Sequence, residues 1–178
     1  LCLSELHRIE GPSLLRESLS ARIKQHGETH RLVAETKARL AYHIEDFMEA
    51  DRLFSSALET LYQLYQKNNH FIADCYFLIG QYLLKLNRQD LAQLYFLETL
   101  RIRRIEFPEH YDRHYQVDEI KGLLCESGMR LEAIEPAIHD SLRHAINRRK
   151  ILQTYFTQRA GNQAKVSRLS ACQKYLFF

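Results

Sequence analysis

The chain has 178 residues, 46% of them hydrophobic, with only six glycines and three prolines, so turn-formers are scarce and a soluble domain of long helices is expected. No apolar run approaches the roughly 20 residues needed to cross a bilayer, which excludes a transmembrane helix at the level of sequence. The net charge of +3 conceals an asymmetry: residues 141–178 hold eight basic side chains and no acidic one, leaving 17 basic against 22 acidic residues, a net −5, in the rest.

In chain order, a first helix is expected around Leu14-Leu15-Arg16-Glu17-Ser18-Leu19. The chain begins at Leu1, not Met, without a basic-then-apolar leader, which is compatible with a piece of a longer protein and leaves the presence of a targeting signal open. A turn at Gly27-Glu28-Thr29-His30 precedes a helix through Val33-Ala34 and Leu40-Ala41-Tyr42, and a second helix follows from Phe47-Met48-Glu49-Ala50 through Phe54 and Ala57-Leu58. The clearest unit runs from Ala73 to Leu100. Tyr76, Ile79, Gly80 and Leu83 share one side of a helix, with Gly80 allowing close approach of a neighbour. After Asn87-Arg88-Gln89-Asp90, residues Ala92, Phe96 and Leu100 recur every four positions on the next helix, and Asp90 is expected to cap it. A third unit keeps His110 and Ala133 in register but puts Lys121 at the glycine position and Ala137 at the aromatic one. Pro136 implies a late start for its second helix. The pattern fades after Arg148, Gly161-Asn162 ends a basic helix, and Tyr175-Leu176-Phe177-Phe178 forms an apolar terminus in need of a packing surface.

Internal repetition organises these elements. His30, His70 and His110 recur at one constant interval, and Ala50, Ala92 and Ala133 recur at an interval one or two positions longer. A period of about 40 residues indicates stacked helix-turn-helix units, an all-α solenoid with about seven to nine helices. Residues 1–146 form the array, about three repeats after a leading helix, and 147–178 form a basic helix and tail able to cap it.

The small and aromatic residues at Tyr76, Ile79, Gly80, Leu83, Ala92 and Phe96, counted from Ala73, resemble the tetratricopeptide repeat. A period near 42 is similar to the long repeats of kinesin light chains, and the resemblance covers roughly Leu14 to Ile146. It implies a right-handed solenoid that binds a peptide or helix of another protein in its concave groove. Transferring the register nominates Glu35, Arg39, Tyr42 and His43 on one first helix, with Leu32, and Asp74, Phe77, Gln81 and Lys85 on the next, with Leu84. Arg39 and Lys85 are suited to an acidic peptide. Kinesin-light-chain-like repeats carry paired asparagines ahead of Leu-Ala where this chain has Ala38-Arg39, so a different grip on the ligand is implied. A second resemblance runs through Asn69-His70-Phe71-Ile72-Ala73-Asp74, Phe107-Pro108-Glu109-His110-Tyr111, Val117-Asp118-Glu119-Ile120 and Leu123-Leu124, which is similar to the C-terminal helical domain of SET-and-MYND-domain lysine methyltransferases. It implies a non-catalytic regulatory segment, and no SET-domain cofactor motif is present.

Chemistry is sparse by the same reading. His26 with His30 and His110 with His114 are four apart, as two ligands on one helical turn would be, yet beyond nearby Glu28 and Asp112 a third ligand is missing; capping or packing is expected, not a metal. Glu45, Asp46, Glu49 and Asp51 cluster where a helix N-terminus favours acidic groups. No nucleophile elbow or Gly-rich phosphate loop occurs, so neither catalysis nor a cofactor or small-molecule substrate is expected. Tyr62, Tyr65, Phe71, Tyr76, Tyr82, Tyr95 and Phe96 are assigned to the core and Phe77 to the groove. Cys2, Cys75, Cys125 and Cys172, without a C-x-x-C pair, are expected as free, mostly buried thiols of a reducing, cytoplasmic protein. The expected function is a protein-interaction scaffold, with self-association through the terminal caps as a further option. The alternatives are the methyltransferase segment and, less favoured, anion binding by the basic tail to nucleic acid or a membrane surface.

Overall fold

The computed structural model describes residues 3–65, 68–111 and 115–138, with backbone alone at 3–10 and 115. The expectations for Asp112 and His114, and for the basic segment and apolar terminus of 141–178, lie outside the described residues. All regular structure among them is helical: α1 (Leu3–His26), α2 (Arg31–His43), α3 (Phe47–Leu64), α4 (His70–Lys85), α5 (Gln89–Glu106), α6 (Tyr115–Glu126) and α7 (131–138). The chain divides into two compact units at the Lys67/Asn68 boundary, inside the span read from sequence as one array. The first contains α1 to α3 and the second α4 to α7.

In the first unit α1 packs on α2 and α2 on α3. Helix α2 is small along its packed side, where Val33, Ala34, Ala38 and Ala41 are buried, and so its axis can approach the neighbours closely. Helix α3 answers with Ala50, Phe54, Ala57, Leu58 and Leu61, all at most 3% exposed and spaced by three or four residues. Asp46 caps α3 by accepting the Glu49 N–H at 2.9 Å. The acidic cluster of the sequence thus acts as a helix N-terminus, with Glu49 also 2.9 Å from Arg16 of α1.

In the second unit α4 and α5 form the most complete hairpin. Phe96 is fully buried against Gly80, where a Cβ would stand 2.6 Å from its ring, which explains the glycine. Asn69 caps α4 at the Phe71 N–H, 3.0 Å away. Helix α4 ends in a Schellman turn: Asn87 is left-handed (φ 55°), its N–H bonds to Leu84 O, and the Arg88 N–H bonds to Leu83 O. Gly128, one repeat further along the chain, closes α6 in the same way, left-handed at φ 95° with Gly128 N–H to Cys125 O and Met129 N–H to Leu124 O.

Three local expectations change. Asp90 is not the cap of α5, because the preceding Schellman turn delivers the chain into the helix early; Arg88 is the N-cap residue without a side-chain bond, and Asp90 lies in the first turn. The helix of the third hairpin does not wait for Pro136 but runs from 131. Both Pro136 and Glu132, the residue whose carbonyl loses a partner to the proline, are exposed. Ala133 is exposed, whereas Ala50 and Ala92 are fully buried; Ile134 and Ile138 fill the core instead. This one-residue offset turns the helix by about 100° relative to its predicted counterpart.

Candidate functional site

The eight groove residues fall on two helix faces, one in each unit. On α2, Glu35, Arg39, Tyr42 and His43 lie on the side away from the buried Ala34, Ala38 and Ala41. Glu35 accepts from Arg31 Nη1 at 2.7 Å across one helical turn. Arg39 is exposed, and no carboxylate among the described residues pairs with it. Tyr42 and His43 meet edge to face with ring centroids 5.1 Å apart. The face therefore offers a cation and aromatic edges. Lys37, by contrast, turns inward and is 8% exposed, with its ammonium 3.0 Å from both Glu28 Oε2 and Ser56 Oγ.

On α4 the four residues play unequal parts. Lys85 is exposed and Gln81 half-buried, so both present polar groups at the surface. Phe77 is only 7% exposed, with its ring centroid 6.0 Å from that of Phe96, so it is placed in the α4–α5 packing and not at the open surface. A large aromatic on the flank of the Gly80 crossing has more apolar surface to bury than a groove leaves covered. Asp74 accepts from Arg103 Nη2 at 2.6 Å. Arg103 is 2% exposed, so this carboxylate is the counter-charge of a buried guanidinium before it is anything else. No motif in the sequence singles out Arg103: it lies far along the chain from its partner, and only the α4–α5 packing brings the two together.

The thiols differ in kind. Cys75 is buried, and desolvation, assisted by the negative charge of Asp74, pushes its pKa far above the ordinary thiol range; it stays protonated and unreactive in the folded chain. Cys125 is exposed, and Cys2 and Cys172 lie outside the described residues.

The repeat histidines occupy helix starts and loops. His30 is the N-cap of α2, its Nδ1 accepting the Leu32 N–H at 3.3 Å, and its ring stacks on His26 with centroids 4.3 Å apart. His70 opens α4 and lies with Nδ1 2.7 Å from Glu106 Oε1 at the far end of α5. His110 is an exposed residue of the α5–α6 connection. Among the described residues no three His, Cys, Asp or Glu side chains are grouped to hold a metal ion, and no helix is long and apolar enough to cross a membrane. Comparison with protein-family models, with curated proteins and with solved structures gives no match to this chain.

Proposed function

We propose that this chain is a protein-interaction module of the tetratricopeptide, right-handed-solenoid type, whose first helices α2 and α4 each offer an exposed face to an acidic peptide or helix of another protein. The observation that carries this reading is the two-sidedness of α2 and α4. Each buries small or apolar residues against its hairpin partner while displaying a cation, Arg39 or Lys85, on the side left over. Recurrence of the Schellman closure at Asn87 and Gly128 supports a repeating hairpin as the building unit. Free thiols at Cys75 and Cys125 fit a reducing, cytoplasmic setting.

The test is charge reversal at both positions. A panel of fluorescent acidic peptides, titrated against the full chain, should give at least one saturable binder, and Arg39→Glu with Lys85→Glu should weaken it by more than about tenfold with an unchanged helical circular dichroism spectrum. Binding that survives both reversals, or no binder in the panel, would overturn this groove. Asp74 is unsuited to the same test, since removing it takes a counter-charge from the buried Arg103 and confounds binding with stability.

A further inference from the structure

We infer that His30 is an acid-released cap: neutral, it holds the first turn of α2, and protonation lets that turn go. The cap bond runs from the Leu32 N–H to His30 Nδ1 at 3.3 Å, which requires a lone pair on Nδ1 and places the ring proton on Nε2. An imidazolium has no such lone pair. Protonation therefore converts an acceptor at the helix N-terminus into a cation there, where the exposed N–H groups and the helix dipole disfavour positive charge.

The surroundings push in the same direction. His26, from the last turn of α1, stacks on His30 with its centroid 4.3 Å away and the planes inclined by 13°, so two imidazolium rings would be held face to face. Helix α1 also brings Lys24 in its last turn and Arg22, whose Nη1 bonds to Leu32 O and Thr36 Oγ1 in the same turn of α2. From α2 come Arg31, Lys37 and Glu35, and from the connecting turn Glu28. Glu35 is engaged by Arg31 and Glu28 by Lys37. Helix α3 contributes Ser56, bonded to Lys37, with Arg52 and Glu59 about a turn to either side. Beside His26, the groups named on α1, α2 and their connection are four bases and two acids that already pair with two of them, and the first turn of α2 holds no acidic residue.

His70, at the same interval along the chain, is wired the other way. Asn69, not His70, caps α4, and His70 Nδ1 faces the carboxylate of Glu106 beside the rings of Phe71 and Phe107. Acid supplies this pair with a charge and leaves its cap intact, so α4 is an internal control.

In the full chain near pH 7.5, long-range proton–nitrogen correlation spectra of the imidazoles should show His30 as the Nε2–H tautomer. Taking the pH to about 5.5 should lower the hydrogen-exchange protection factors of Leu32 and its neighbours roughly fivefold, while the first turn of α4 keeps its protection. His30→Asn, which caps without titrating, should remove the difference. A Nδ1–H tautomer at the higher pH, absence of the drop, an equal drop in α4, or a drop that persists in His30→Asn would each overturn the inference.

Discussion

Gly80 and Phe96 show how far one missing Cβ decides the α4–α5 packing. A methyl at Gly80 would sit 2.6 Å and 2.8 Å from two ring carbons of a side chain that is itself fully buried, so the ring has no open side to swing into. Gly80→Ala gains about 1 kcal/mol of helix propensity and meets about 1–3 kcal/mol of overpacking. The expected net result is a loss of stability of about 1 kcal/mol, and no more than about 2 kcal/mol, in urea denaturation. Pairing it with Phe96→Leu should recover part of that loss, because the clash is with the ring. If Gly80→Ala alone is neutral or stabilising, the close approach is not what the glycine serves. Gly80 was legible in the sequence as a position of close helix approach and Phe96 as part of the apolar spacing of the next helix, but their pairing was not. Nor was the Asp74–Arg103 pair, since opposite charges on separate helices carry no periodic signal.

Among whole elements, the helices with strong apolar spacing stood out in the sequence. Tyr76, Ile79 and Leu83 on α4, and Ala92, Phe96 and Leu100 on α5, are all buried where their spacing placed them. Helix ends were harder, because a cap depends on backbone geometry that side-chain identity only partly encodes. Asp46 and Asp90 are both acids at the start of a second helix, yet only Asp46 accepts from the turn it opens. Asp46→Ala should therefore cost about 1 kcal/mol, read as a lower denaturation midpoint, whereas Asp90→Ala should cost only the few tenths due to an acid in the first turn. Equal costs would mean that the Asp46 to Glu49 bond adds nothing beyond charge. Groove candidates suffered from the same limit in another form. Helical spacing puts Phe77 on the face shared by Asp74 and Gln81, but a residue at the edge of a face is buried or exposed according to the neighbour's bulk, here the ring of Phe96.

Across the molecule the three hairpins are closed by different means, and this sets the order in which they should open. In α2–α3, alanines meet Phe54 and leucines; in α4–α5, Gly80 receives Phe96, a contact type whose loss on truncation costs about 3–5 kcal/mol. In α6–α7 the corresponding positions are Lys121 and Ala137, and an electrostatic clasp is added to the buried Val117, Ile120, Leu124, Ile134 and Ile138. Glu135 is clasped by Arg104 of α5 and by Lys121, 3.6 Å away, while both cations lie over the ring of Tyr111 at 5.4 Å and 5.6 Å. The three charged side chains are 39%, 22% and 41% exposed, so each pair contributes about 0–1 kcal/mol and salt screens it. Amide exchange should accordingly be faster throughout α6 and α7 than in α4 and α5, and raising sodium chloride from about 0.1 M to about 1 M should widen the gap by accelerating the third hairpin alone. Glu135→Gln should speed exchange there at low salt and remove most of its salt response, since the carboxylate is the group that both cations share. Protection of α6 equal to that of α4, or a salt response untouched by Glu135→Gln, would show that the apolar contacts of Val117, Ile120, Leu124, Ile134 and Ile138 hold this hairpin without the clasp.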